Sequence, residues 1–169
     1  MTDALRDTLH IAECRRLRLD EPQSPLLAAA RTAHQNSPDR LTLLALPGTD
    51  LASAPAARHH VTTAARAWGA PPGLVDSLET VTGELAANAL EHGDSWEVVV
   101  ALSAAAGLLT VGVTDEGRDA DALVSVRTES GPEQEHGRGL LITEALADRW
   151  GERRVPGGRT VWAEFRTEG

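Results

Sequence analysis

The sequence predicts an α+β fold, a two-layer sandwich of a mixed, mostly antiparallel sheet with helices on one face. Three observations carry that expectation. Two helical patterns follow one early strand without the steady strand–helix alternation of a doubly wound sheet. The β-rich runs "WEVVVALSA" and "LLTVGVTDEG" are joined by the Gly-containing "AAG", a hairpin signal. A Pro-Gly-Gly turn then divides the closing run "ERRVPGGRTVWAEFRTE" into a final strand or hairpin.

Residues 1–40 read as a helical or partly disordered N-terminal extension, and 41–169 as the main domain. In the extension, "ALRDTLHIAECRRLRL" places Leu5, Leu9 and Ala12 at helical spacing and breaks at "DEPQSP". A second short helix, "LLAAARTAHQ", ends at "NSPDR". The cluster Arg15, Arg16 and Arg18 is either a solvated face or a contact for an acidic partner.

From Leu41 the pattern is regular. "LTLLAL" is a short strand closed by "PGTD". "LASAPAARHHVTTAARAW" is a helix with Ala57, Val61, Ala64, Ala65 and Trp68 on one face, ending at Gly69. The longest helix, "LVDSLETVTGELAANALEH", carries Leu74, Leu78, Val81, Leu85 and Ala89 as a buried stripe and stops at Gly93. After the hairpin, residues 118–136 are polar and aperiodic, and long loops of that kind are usually functional. "GRGLLITEALADRW" is a helix entered through two glycines, followed by the closing strands.

Composition narrows the function. The 169 residues are 41% hydrophobic, enough for one folded domain with a real core. A net charge of −9 argues against a reader of the nucleic-acid backbone. All sixteen basic residues are Arg, which removes a P-loop lysine and Schiff-base chemistry. The single Cys14 allows no internal disulfide and no cysteine-based zinc cluster. The N-terminus shows no signal-type apolar core and no run approaches membrane-spanning length, so the expectation is a cytoplasmic protein with no membrane contact. There is no G-x-S-x-G elbow and no H-E-x-x-H helix.

Three short stretches carry candidate chemistry. On the long helix, Glu84, Asn88 and Glu91, with His92 beside them, form one stripe along the apolar face. It is either an ordinary solvated flank or a set of oxygens for a hard cation such as Mg²⁺, which takes few protein ligands. "TDEG" ends the hairpin with Asp115 and Gly117. This is either a plain turn or a carboxylate for an exocyclic amine beside a backbone of minimal bulk. "HGRGL" opens a helix with Gly137, Arg138 and Gly139. It is either a packing loop or a phosphate site at a helix N-terminus.

In this order and context, the stretches resemble the GHKL ATPase superfamily, and more narrowly the small anti-sigma-factor serine kinases and their actinobacterial relatives. The resemblance covers about residues 41–166; "ELAANALEHG" and "HGRGLLITEALADRWG" are its most specific parts. It implies the two-layer fold and ATP with Mg²⁺ as cofactors. It implies that Glu84 is the general base acting on a serine hydroxyl or water and that Asn88 ligates Mg²⁺. By the same resemblance Asp115 takes the adenine amino group near Gly117, residues 118–136 are the ATP lid, and Gly137, Arg138 and Gly139 contact phosphate. Thr160 matches a strand threonine that supports adenine recognition. The partners implied are a sigma factor, an anti-sigma-antagonist protein, or both, and a homodimer.

The chain departs from the family at one position. "DEGRD" puts Asp119 where the adenine motif has a second glycine, adding bulk and negative charge near a polyanion. That departure, with the extension, keeps open a second class of function: a regulatory binding module with a degenerate ATP site and no kinase activity.

Overall fold

The computed structural model describes residues 24–34, 38–92, 94–117 and 138–167. The elements in chain order are α1 (Pro25–Ala33), β1 (Arg40–Pro47), α2 (Ser53–Ala67), α3 (Pro72–His92), β2 (Glu97–Ala105), β3 (Leu108–Asp115), α4 (Arg138–Leu146), β4 (Arg149–Val155) and β5 (Gly158–Arg166). The five strands form one sheet in the order β1-β2-β3-β5-β4, every neighbouring pair antiparallel.

Turn chemistry sets the two hairpins. Ala106 and Gly107 both have positive φ, 49° and 75°, as a two-residue type I′ turn requires. At the β4–β5 turn, Pro156 supplies a fixed φ and Gly157 takes φ 77°, the pairing a type II turn uses.

The main core lies between one sheet face and the helices. Leu78, Val81 and Leu85 of α3 and Val61 of α2 pack against Val98, Val100 and Leu102 of β2, Val111 and Val113 of β3, and Phe165 of β5. Each of these side chains, fully buried, contributes on the order of 1.5–3 kcal/mol. The period-2 alternation sends Val99 to the other face, where Leu26 and Ala30 of α1 cover it. Thus α2, α3 and α4 form the helical layer, and α1 adds a single helix behind the sheet.

Residues 24–34 fall inside the predicted N-terminal extension, yet they pack onto the sheet. Ser24 caps α1 by accepting from the Leu26 and Leu27 N–H groups, and Pro25 opens the helix where its missing N–H costs nothing. At the other end, His34 lies over Gly112, where a Cβ would come within 2.7 Å of its Nε2. The later helix is shorter than its sequence pattern, because Arg149 and Trp150 belong to β4. Among the described residues no helix is long and apolar enough to cross a membrane.

Candidate functional site

α3 supplies the first part of the site. Glu84 and Asn88 stand one turn apart, both half-buried, on the flank of the stripe that packs into the core. Glu91 and His92 continue the stripe but are 64% and 60% exposed and face each other at 3.9 Å. Immediately before Glu84 stands Gly83, whose lack of a side chain makes room for Arg58 of α2. A Cβ there would lie 3.2 Å from the guanidinium. The sequence pattern did not single out Arg58; only the packing of α2 on α3 reveals it.

α4 supplies the second part. It packs on α3, and its second residue, Gly139, is buried directly against Glu84. A Cβ on Gly139 would meet Glu84 Oε2 at 2.6 Å. The Gly139 carbonyl accepts from the buried Thr143 hydroxyl at 3.0 Å, a further contact that ties this turn in place. Gly137, the side chain of Arg138 and the expected lid at 118–136, with Asp119, lie outside the described residues.

β3 supplies the third part. Asp115 is 1% exposed and shares the sheet face of Val111 and Val113, the face that packs on α3. Its Oδ1 accepts from the Gly117 N–H at 2.8 Å and its Oδ2 from Arg159 Nε at 3.3 Å. Gly117 holds φ 62°, a backbone state that favours glycine. Burial raises the Asp115 pKa above its ordinary value, and the Arg159 guanidinium opposes that rise. Arg159, which also reaches Glu152 at 3.6 Å, escaped sequence reasoning. Its signal is the β3–β5 register, which sets residue 159 opposite 115.

Thr160 is placed elsewhere. It pairs with Thr114, so both side chains point to the face opposite Asp115, and the two buried hydroxyls are 2.7 Å apart. On that face a cavity of about 270 Å³ is lined by residues that include His34, Ser103, Arg153, Thr160 and Trp162. The fold therefore brings Glu84 to Gly139 and sets Asp115 on the face that packs against the helix carrying Glu84 and Asn88. It does not bring Thr160 to Asp115.

The residues present fit a nucleotide. A carboxylate offers about four acceptor positions, and Asp115 uses one each for Gly117 and Arg159. A buried acidic acceptor beside a glycine turn suits an exocyclic amine. The start of α4, bare of Cβ atoms at Gly139, suits close approach of an anion to backbone N–H groups. Among the described residues no group of three or more His, Cys, Asp or Glu is placed to hold a metal ion. Asn88 alone is compatible with Mg²⁺, which completes its shell with water and phosphate oxygens.

Comparison with known proteins agrees with this fold. A family model described as a histidine kinase-like ATPase domain matches residues 48–165. The chain is also similar to a solved structure of the RsbU and RsbW domains of Rv1364c from Mycobacterium tuberculosis. That match has a TM-score of 0.56 and 22% identity, over 76% of this chain and 33% of the solved one. This chain thus spans about a third of that protein's solved length, and the likeness is one of fold. A search of the curated proteins finds no match.

Proposed function

This chain belongs to the histidine kinase-like ATPase family, and from that premise we propose that it is an ATP- and Mg²⁺-dependent serine kinase of the anti-sigma-factor type. It acts by partner switching, binding a sigma factor and transferring phosphate to a serine on an antagonist protein. The observation that carries the proposal is the contact of Gly139 with Glu84, which sets an acid of α3 against the opening turn of α4. A general base and a phosphate-binding backbone must lie side by side for transfer to a hydroxyl.

The bound ATP–Mg²⁺ would supply the phosphoryl group and neutralise its charge. Each residue of the chain then has one task. Glu84 accepts the proton of the attacking serine hydroxyl. Asn88 offers its amide oxygen to the metal, and Asp115 orients the base by accepting from its amino group beside Gly117. The N–H groups at the start of α4, with Gly137, Arg138 and Gly139, hold the phosphates by position and partial charge. The solved chain that shares this fold includes an RsbW domain, which supports the regulatory assignment.

Thermal stability with ATP or ADP, with and without Mg²⁺, is the first test. Ligand at about 100 times its dissociation constant should add roughly 2.7 kcal/mol. Absence of any nucleotide-dependent shift would sink the kinase proposal. Where the shift appears, Glu84→Ala should keep it and lose transfer; unchanged turnover removes Glu84 as the base. One observation favours the alternative of a regulatory module with a degenerate ATP site. Asp115 is already ion-paired to Arg159, and burial favours its neutral form, a weaker acceptor.

A further inference from the structure

The sheet end that carries Asp115 also carries the two most exposed large apolar side chains described, Trp96 at 81% and Leu51 at 77%. Their loops are held together by hydrogen bonds. Gly48 N–H donates to the Trp96 carbonyl at 2.8 Å, and Trp96 N–H donates to Glu116 Oε2 at 2.8 Å. Ser95 Oγ accepts from the Glu116 N–H at 2.9 Å, and the Ser53 hydroxyl closes the Leu51 loop by donating to the Pro47 carbonyl at 2.7 Å. Trp96 is therefore presented by a fixed mount rather than by a frayed end.

The surround of this patch is acidic. Asp50 beside Leu51, Glu116 against the Trp96 N–H and Glu91 at the end of α3 are exposed, while Arg159, at the same sheet end, is engaged by Asp115 and Glu152. An apolar patch in an acidic rim fits a segment that is both basic and apolar.

The described chain starts at Ser24, and the Ser24 hydroxyl donates to the carboxylate of Glu97, the residue after Trp96. Residues 1–23 thus join the fold beside the patch, and the stretch 5–18 within them carries Leu9, Ile11 and Leu17 with Arg6, Arg15, Arg16 and Arg18 against Asp7 and Glu13. Five residues separate Arg18 from Ser24, and the six Cα steps reach up to about 20 Å when extended.

We propose that residues 5–18 dock on the Trp96–Leu51 patch of their own chain, with the arginines facing Asp50, Glu91 and Glu116. The tether gives this occupant a high effective concentration. A two-fold contact between copies at this face would instead bring two acidic rims together. The docked segment lies at the sheet end of Asp115, so a partner using this face must displace it. The proposal does not depend on nucleotide binding and is tested without it.

Cys14 is the only cysteine in the chain, so the 169-residue chain can be labelled there with a fluorophore that tryptophan quenches on contact. Docking predicts a dim label that brightens in Trp96→Phe, in which the exposed indole alone is lost. It also predicts brightening in the Arg15→Glu/Arg16→Glu/Arg18→Glu variant. Raising salt from about 0.1 M to about 1 M shortens the Debye length from about 10 Å to about 3 Å and should act in the same direction. Loss of three exposed charge pairs should lower the docked-to-undocked ratio on the order of tenfold. Equal emission from the parent chain and Trp96→Phe overturns the proposal. Quenching that strengthens with protein concentration also overturns it, in favour of a second copy as occupant.

Discussion

Gly139 at the start of α4 lies against the carboxylate of Glu84 on α3, so closely that a Cβ at 139 would stand 2.6 Å from Oε2. The atom in the way is the far end of a flexible side chain. Gly139→Ala should therefore fold, with a stability change within about 1 kcal/mol, while Glu84 rotates out of position. Because a positioned general base contributes roughly 10²–10⁴-fold, transfer or hydrolysis should fall by at least about tenfold. A melting curve beside a turnover assay reads both. Full turnover in Gly139→Ala would mean that the Glu84 position is not what the reaction uses.

That contact was half legible in the sequence. The periodicity of Leu78, Val81 and Leu85 places Glu84 on the flank of a buried stripe, and glycines at 137 and 139 mark a helix start. Neither pattern says that the two meet; the packing of α4 on α3 decides it. The hairpins were legible because Ala106-Gly107 and Pro156-Gly157 set local backbone conformation. Arg159 and Thr160 were not, since their faces follow from the β3–β5 register, in which a slip of one residue exchanges the two sides. The burial of α1 was likewise hidden. A short Ala-rich helix looks peripheral until Val99, Leu43 and Ala45 supply the surface it covers.

Asp115 sets stability against recognition. Its pKa is raised, chiefly by burial, so holding it ionised costs stability, and that cost grows as pH rises through the folded-state pKa. Asp115→Asn removes the charge and keeps an oxygen for the Gly117 N–H. At neutral pH this variant should melt no lower than the parent, and the difference should shrink on acidification. Its ATP-dependent melting shift should be smaller, because an amide accepts more weakly than a carboxylate. A clear loss of stability would show that the Arg159 pair outweighs the burial cost.

Thr160→Val separates the role implied by resemblance from the one the register gives. Its hydroxyl pairs with Thr114 on the face opposite Asp115. Removing it leaves a buried hydroxyl without that partner, which costs about 1–3 kcal/mol. Thr114→Val/Thr160→Val should cost less than the sum of the single changes, since neither partner is stranded. The nucleotide-dependent shift should persist in both variants. Its disappearance in Thr160→Val alone would return this residue to the adenine side.

His34 predicts a pH dependence that is independent of any ligand. It is buried at the end of α1, with Nδ1 3.1 Å from Ser103 Oγ and Nε2 without a hydrogen-bond partner. Burial first, and the Arg153 charge second, lower its pKa from 6.5 to about 4. A depressed histidine is held neutral by the fold, so its contribution is complete above pH 6.5 and is lost as pH falls toward about 4. The gap corresponds to about 3 kcal/mol across that window. Carboxylates titrate over part of the same range, so the informative quantity is the difference from a variant. His34→Asn keeps a hydrogen-bonding atom near the Nδ1 position and has no proton to gain. Urea midpoints of the two proteins, taken from pH 7 down to pH 4.5, should diverge at pH 7 and converge on acidification. Parallel profiles would mean that His34 accepts its proton without disturbing the packing of α1 over Gly112.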